Sequence, residues 1–376
     1  MIKFLHCADL HLDSPLTALD IKTAEVRRNE LRGAFTSLTM TARMSKVDFL
    51  LIAGDLFDSA YATKETIALL CREFAALPDC KVIIAPGNHD PYTFQSYYRR
   101  TEFPDNVYIF DSPDLSCFDF PELNTTVYGY AFTSDTLEDC PLEAFRVENP
   151  DRINLLVAHG DLDAAVSKYA PIPSDTLSAC GFDYAALGHI HTFSGLRTLD
   201  KGYCAYSGCL EGRGFDELGP KGAILGAADK TDGQLQLGAK FNRFSKRRYE
   251  IETLDITGAA TNADVIDRIQ AMIADKHYGD DTALRVRLTG SVVSDLRIAP
   301  DFLASQFPGI FLLETVDATL PLYDCAHLQE DPTIRGAFYR SLAELLDSGD
   351  ESEREKAALA LRYGLAALSG SDIIDF

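Results

Sequence analysis

The stretch FLHCADLHLDSPL (residues 4–16) places a short apolar run directly before Asp9 and His11. A short apolar run without alternation is typical of a strand that is covered on both faces. Side chains two residues apart on an extended backbone point to the same side of a sheet. The sequence therefore predicts a buried first strand whose carboxyl end presents a carboxylate and an imidazole, two groups that bind metal ions.

The same pattern, an apolar run that ends in polar residues, recurs four times. The four stretches are VDFLLIAGDLFD (47–58), CKVIIAPGNHD (80–90), RINLLVAHGDL (152–162) and FDYAALGHIH (182–191). Helical patterns at 23–45 and 63–77 separate the early runs, and strand alternating with helix is typical of α/β proteins. Gly and Asp-Gly turns between later strands indicate an antiparallel portion. We therefore expect an α/β fold, layered as a sandwich with two sheets.

The residues that end these five runs can all bind metal or act on a phosphate. They are Asp9, His11, Asp55, Asn88, His89, His159, His189 and His191. Turn chemistry explains any one of these motifs equally well, but together they fit the sites that collect at the carboxyl ends of strands. Three oxygen ligands and four imidazoles, without a thiolate, suit two divalent ions such as manganese, iron or zinc. Two ions about 4 Å apart need a shared ligand, and Asp55 is the natural bridge.

Composition restricts the class of protein. A chain of 376 residues that is 46% hydrophobic can bury a large core and suggests two domains. It contains no apolar run long enough for a membrane span and no signal-peptide pattern. Nine scattered cysteines without a C-x-x-C pair predict neither disulfides nor a structural zinc site. We therefore expect a soluble, cytoplasmic protein, and its net charge of −22 disfavours one that binds nucleic acid unaided.

The segment KFNRFSKRRYEIETLDI (240–256) holds five basic residues before its first glutamate and marks a predicted domain boundary. We expect a first domain at 1–248, a small α+β domain at 249–330 and a helical segment at 331–376. Two amphipathic helices in the last segment have apolar faces that suit either a partner or their own domain.

The motifs DLH, GDLFD, GNHD, AHGD and GHIH resemble those of the calcineurin-like metallophosphoesterases. Within that superfamily, HCADLHLDSPL and YSGCLEGRGFDELGPKGAIL (206–225) resemble the DNA-repair exonuclease subunits of the SbcD and YhaO type. The resemblance implies a four-layer αββα sandwich, a capping domain that contacts DNA, and C-terminal helices that bind an SbcC-like coiled-coil ATPase. It also implies two divalent ions per chain, with Mn²⁺ as the expected metal. One departure is Asp13, where the better-known nucleases usually have glycine.

The resemblance also assigns roles to the site residues. One ion would be held by Asp9, His11, Asp55 and His191, and the other by Asp55, Asn88, His159 and His189. His89 would bind no metal; it would contact the scissile phosphate or protonate the leaving oxygen, as an imidazole commonly does. Asp58 and Asp90 are candidates for orienting ligand histidines, although solvent-facing turn residues would look the same in sequence.

Four basic residues are candidates for DNA contact. Arg213 and Lys221 lie in the glycine-spaced segment LEGRGFDELGPKG, and Arg243 and Lys246 lie in the basic run 240–248. Cations and backbone amides in such segments suit a phosphodiester strand. An ordinary hairpin and a solvated linker explain the same residues equally well.

Together these features predict a manganese-dependent DNA phosphodiesterase. We expect it to be an exonuclease, with endonuclease activity left open, and to act in double-strand-break repair with an SbcC-like ATPase. One alternative is a phosphomonoesterase or a small-molecule (cyclic-nucleotide) phosphodiesterase on the same metal centre, which the net charge favours. A second is a non-catalytic scaffold subunit. The helix at 23–45 suits a homodimer, as in family relatives, or packing on its own sheet.

Overall fold

The computed structural model describes residues 1–368 except 165, 232, 294–295 and 324. The chain divides into two compact units, Met1–Arg248 and Tyr249–Phe376. In the described residues, no helix is long and apolar enough to cross a membrane.

The first unit consists mostly of short strands joined by helices and turns. Its strands are β1 (Ile2–Cys7), β2 (Phe49–Ile52), β3 (Lys81–Ile84), β4 (Val107–Ile109), β5 (Ser116–Phe120), β6 (Thr125–Gly129), β7 (Ile153–His159), β8 (Tyr184–Gly188), β9 (Arg197–Thr198), β10 (Tyr203–Tyr206), β11 (Gly222–Thr231) and β12 (Gln234–Arg243). Its helices are α1 (Ile21–Ser45), α2 (Lys64–Ala75), α3 (Tyr97–Arg100) and α4 (Ser174–Cys180), and a 3-10 turn spans Pro121–Leu123.

These strands form two six-stranded sheets. The first has the order β12-β11-β1-β2-β3-β4 and the second has the order β5-β6-β7-β8-β10-β9. In the first sheet β1 to β4 are parallel, and β11 runs antiparallel to β1. In the second sheet β6, β7, β8 and β10 are parallel, with antiparallel strands at both edges. The carboxyl ends of the parallel strands carry every predicted ligand.

The first unit has four layers, two sheets with helices on their outer faces, and apolar side chains fill the space between neighbouring layers. Phe35 of α1 and Phe74 of α2 cover the outer face of the first sheet, and their ring centroids lie 5.7 Å apart. Phe4 and Leu155 pack between the two sheets. Leu177 of α4 packs on the outer face of the second sheet. The αββα sandwich is confirmed, and its central strands, such as β2 and β7, are fully buried because both of their faces are covered. The apolar face of α1 thus serves its own sheet, while the homodimer stays a prediction.

The second unit contains two small sheets and several helices. Its strands are β13 (Arg248–Asp255), β14 (Thr282–Thr289), β15 (Ser291–Val293), β16 (Leu312–Asp317) and β17 (Leu320–Leu322). Its helices are α5 (Asn262–Lys276), α6 (Pro300–Ser305), α7 (Cys325–Glu330), α8 (Ile334–Leu346) and α9 (Glu351–Leu368). Strands β13, β14 and β16 form one sheet that shares a core with α5 and α6. The predicted domains at 249–330 and 331–376 both lie in this unit, and their separation stays a prediction.

Helices α8 and α9 pack against each other. Phe338 and Leu342 of α8 contact a small core that contains Leu361 and Leu365 of α9. This packing accounts for part of their apolar faces, whereas Ile334 is 69% exposed.

Substitution of Phe35 tests the assigned core. Phe35 is fully buried, so Phe35→Ala should lower the free energy of unfolding by about 3–5 kcal/mol, because it removes apolar contact and leaves a cavity. Urea denaturation followed by circular dichroism measures the change. Phe94, which is 77% exposed, is the matched control, and Phe94→Ala should change the free energy of unfolding by at most about 0.5 kcal/mol. Equal losses in the two variants would contradict this core.

Candidate metal centre

The two sheets approach each other very closely at their carboxyl ends. A Cβ atom on Gly188 would overlap the carbonyl oxygen of Ala53, and one on Gly54 would overlap the imidazole of His159. Glycine is therefore needed in the G-D and G-H motifs for its small size. This close approach brings the ligands of the first sheet next to those of the second.

Several ligands have an unusual backbone conformation. Asp9, His11, Asp55 and His189 have φ angles of 54°, 44°, 52° and 103°. Non-glycine residues seldom adopt positive φ. Each such conformation costs about 1–3 kcal/mol and persists only where surrounding contacts offset that cost. The backbone N–H of Asp9 donates to the carbonyl of Gly54 at 3.1 Å, and the backbone N–H of His11 donates to the backbone carbonyl of Asp55 at 2.9 Å. The turns after β1 and β2 thus hold each other in place.

The first predicted set of ligands converges on one point. His11 Nε2 lies 3.4 Å from His191 Nε2 and 3.5 Å from Asp55 Oδ2. Asp9 Oδ1 lies 3.9 Å from His191 Nε2. Ligand atoms of Asp9, His11 and His191 all lie within 4.8 Å of one another, a spacing that a metal ion can span.

The second set converges beside the first. His159 Nε2 lies 3.0 Å from Asn88 Oδ1, 3.3 Å from His189 Nδ1 and 3.5 Å from Asp55 Oδ2. Asp55 Oδ2 is thus equally distant from His11 Nε2 and His159 Nε2, which is the position of a bridging ligand. The structure brings all seven predicted ligands together.

Hydrogen bonds donated by Nδ1 leave the Nε2 atoms of three ligand histidines without protons when the imidazoles are neutral. The Nδ1–H groups of His11, His159 and His191 donate to Asp58, the carbonyl of Ala53 and Glu217, at 2.7, 2.9 and 2.7 Å. A neutral imidazole that donates from Nδ1 carries a lone pair on Nε2. Lone pairs 3.4 Å apart, as on His11 and His191, repel unless a cation lies between them. The donor set therefore fits two divalent cations.

Burial and neighbouring charges together shift the pKa values of the site residues. Burial lowers the pKa of His159 to about 4, which keeps this imidazole neutral. Burial, together with the charge of Asp55, raises the pKa of Asp9 to about 7. Burial also disfavours the charged form of Asp55, but the neighbouring histidines outweigh it and lower its pKa to about 2. Bound cations would favour the charged form of both carboxylates.

The two aspartates predicted to orient histidines differ in what they contact. Asp58 Oδ1 accepts from His11 Nδ1 and also lies 3.5 Å from His89 Nδ1. Asp90 contacts no histidine side chain in the described residues, so that part of the prediction is wrong.

Asp90 instead holds the backbone of two ligand-bearing turns. It accepts from the N–H groups of Asp55, Leu56 and Gly87 at 3.1, 2.7 and 2.7 Å, and from the hydroxyl of Tyr98 at 2.6 Å. Burial and the charge of Asp55 raise its pKa to about 7.

His89 lies at the open side of the site. Its side chain is 52% exposed, and its backbone N–H donates to Asp55 Oδ1 at 2.9 Å. Its ring centroid lies 4.8 Å from that of His11 in an edge-on arrangement. The imidazole is held beside the ligands and is still accessible to a substrate.

Two carboxylates in the site were not assigned from the sequence. Asp161 Oδ1 lies 3.4 Å from His189 Nε2, and Glu217 accepts from His191 Nδ1. Asp161 is part of the AHGD motif, which is a usable signal. Glu217 lies in the segment 206–225 that carries the resemblance, but nothing in the sequence pairs it with His191.

The structure changes the interpretation of the basic residues. Lys221 is buried and its Nζ donates to the carbonyl of His191 at 2.9 Å, so the prediction of DNA contact is wrong for this residue. Arg213 donates from N, Nε and Nη2 to Glu217. Arg243 Nε donates to Ser245, and Lys246 Nζ lies 3.1 Å from Glu30. Both are exposed, and their contact with DNA stays a prediction.

Asp13, the departure from the nuclease pattern, is buried and contacts two helices. Its Oδ2 accepts from the backbone N–H of Thr63 at 2.8 Å, directly before α2. Its Oδ1 pairs with Arg32 of α1. Asp13 therefore fastens the turn that carries Asp9 and His11.

The chain is similar to several known proteins. It is 27% identical over 317 residues to the "Uncharacterized metallophosphoesterase YhaO" of Bacillus subtilis (strain 168), covering 81% of this chain and 76% of that protein. It is 23% identical over 246 residues to the SbcD subunit of the SbcCD nuclease of Staphylococcus epidermidis, covering 58% of this chain and 63% of that protein. The second alignment thus spans less than two thirds of the relative.

Two solved structures are remotely similar. One is TT1561 of Thermus thermophilus, with a TM-score of 0.38 and 10% identity over 63% of this chain and 98% of that chain. The other is Vacuolar Protein Sorting 29 from Cryptosporidium parvum, with a TM-score of 0.29 and 14% identity over 64% of this chain and 98% of that chain.

The sequence model of the family described as "Calcineurin-like phosphoesterase" matches residues 2–193. This range is more than half of the chain and contains all seven converging ligands together with His89. The chain therefore belongs to the calcineurin-like phosphoesterase family, and its relatives place it with the SbcD/YhaO type.

Proposed function

We propose that the protein is a manganese-dependent DNA phosphodiesterase that acts as an exonuclease in the cytoplasm. The observation that carries the proposal is the position of Asp55 Oδ2, 3.5 Å from both His11 Nε2 and His159 Nε2. A ligand shared in this way suits a two-metal site that acts on phosphate esters. Similarity to a protein named as a nuclease subunit supports DNA as the substrate.

The proposed ion sites are those that the family resemblance implies. Asp9, His11 and His191 would hold one ion, Asn88, His159 and His189 the other, and Asp55 both. A mixture of oxygen and imidazole ligands suits Mn²⁺. Bound there, the two ions would supply Lewis acidity to the phosphoryl oxygens and lower the pKa of a water molecule.

His89 is the proposed general acid. The hydrogen bond from its backbone to Asp55 fixes its position, and Asp58 lies beside its Nδ1. Nε2 is then the nitrogen that faces a substrate and donates a proton to the leaving oxygen.

A partner would supply part of the DNA affinity. The net charge of −22 opposes a phosphate backbone, so we propose that an SbcC-like coiled-coil ATPase contributes basic surface. Exposed apolar residues of α8 and α9, including Ile334 and Leu359, are candidates for the contact.

A phosphomonoesterase or small-molecule phosphodiesterase is the second candidate. The net charge favours this candidate. It is also favoured by the contacts of Lys221 and Arg213, which bind the carbonyl of His191 and the carboxylate of Glu217, because a long anionic strand needs accessible basic groups.

A substrate comparison separates the candidates. With Mn²⁺ and equal enzyme, we expect faster hydrolysis of linear duplex DNA than of a cyclic nucleotide or a phosphomonoester. Preference for a small substrate would overturn the DNA assignment. Absence of bound metal after reconstitution with Mn²⁺ would favour the scaffold alternative, whereas two bound ions per chain would rule it out.

Asp55→Asn tests the shared ligand. We expect both ion sites to lose metal, because one carboxylate completes both of them. Metal content after dialysis against Mn²⁺ should fall from two ions per chain to less than one. Asp114→Asn, which changes an exposed carboxylate, should retain two. Retention of both ions by Asp55→Asn would contradict the bridging position.

His89→Asn tests the general acid. We expect turnover to fall by about 10²–10⁴-fold, the contribution of a lost general acid, while metal content stays near that of the wild type. His277→Asn changes an exposed histidine of the second unit and should leave both quantities unchanged. If metal is lost together with activity, His89 is a ligand and the assignment is wrong.

A further inference from the structure

His191 is the most exposed of the four ligand histidines. Its side chain is 29% exposed, against 18% for His189 and 1% or less for His11 and His159. An imidazole that is less enclosed by the core has more freedom to rotate, so other contacts must fix its orientation.

The loop at 209–221 supplies such contacts to both the side chain and the backbone of His191. Glu217 Oε1 accepts from His191 Nδ1 at 2.7 Å. The carbonyl of His191 accepts from Lys221 Nζ at 2.9 Å and from the backbone N–H of Cys209 at 3.3 Å. Residues at both ends of one loop thus hold this ligand.

Glu217 is itself held by Arg213. The backbone N–H of Arg213 donates to Glu217 Oε2 at 2.7 Å, and its Nη2 donates to Oε1 at 2.8 Å. A buried carboxylate is costly unless it is paired and hydrogen-bonded. Arg213 meets that requirement, so the carboxylate keeps a fixed position and its negative charge.

The hydrogen bond to Glu217 has a direct consequence for metal binding. A proton held on Nδ1 leaves the lone pair on Nε2, which faces His11 Nε2 and Asp9 Oδ1. A carboxylate behind a ligand imidazole fixes its tautomer and orientation and increases its basicity.

We propose that the 209–221 loop positions His191, with Glu217 as a positioning residue that fixes the imidazole and Arg213 as the residue that holds Glu217. The inference rests on the proposed metal centre. It gives Arg213 a role in assembling one ion site, in place of a role in DNA contact.

Metal titration tests the proposal. Metal-free wild type and Glu217→Ala are titrated with Mn²⁺ by calorimetry. We expect the variant to bind one of its two ions about 10–100-fold more weakly, the usual effect of losing such a partner, with the other ion nearly unaffected. Glu217→Gln keeps an acceptor oxygen and should lose less affinity. Arg213→Gln should weaken the same ion.

Asp183→Asn is the matched control. Asp183 is a buried carboxylate that pairs with Lys230, and it lies directly before β8, at the end of that strand opposite to His189. We expect this variant to lower the melting temperature and to bind both ions as the wild type does. An equal loss of Mn²⁺ affinity in Asp183→Asn would show that general destabilisation explains the effect, and would overturn the proposal.

The remaining outcomes are also decisive. Unchanged binding of both ions by Glu217→Ala would refute the positioning role and leave the metal centre intact. A wild type that binds no Mn²⁺ would refute the metal centre itself. Should Glu217→Ala fail to fold, unchanged binding by both Glu217→Gln and Arg213→Gln would refute the proposal.

Discussion

The site depends on how closely the two sheets meet at Gly188 and Ala53, where no side chain fits between them. That approach lets the backbone N–H of His189 donate to Asp9 Oδ1 at 3.0 Å, across a separation of 180 residues. The first sheet carries four of the seven ligands and the second carries three. His159, His189 and His191 become neighbours of Asp9 and Asp55 only when the sheets are packed face to face.

A buried histidine between the sheets supports this approach. His6 of β1 lies 2.9 Å from the hydroxyl of Tyr184 and 3.2 Å from the carbonyl of Leu187, both in β8. Burial lowers its pKa to about 3, so the imidazole is neutral and can both donate and accept. The strand before Asp9 is thereby tied to the strand before His189. These contacts help to offset the repulsion among converging lone pairs and the cost of positive φ angles.

Much of the site could be predicted because each ligand directly follows an apolar run. Asp9, Asp55 and His159 sit at strand ends, so strand recognition alone locates them. The partners of the ligands depend instead on tertiary packing. Sequence could not show that Lys221 is buried against a backbone carbonyl, nor that Asp90 accepts from backbone N–H groups. The two-sheet sandwich followed from strand and turn patterns.

The pairing of the first strand sets a minimum length for an independent fragment of the first unit. One edge of β1 is covered by β11, which is covered in turn by β12 up to Arg243. The region matched by the family ends at residue 193, before either strand begins. A fragment truncated there would leave β1 with a bare hydrogen-bonding edge, the kind of surface that recruits other chains into aggregates. Any shortened version intended to stay monodisperse must therefore extend through β12.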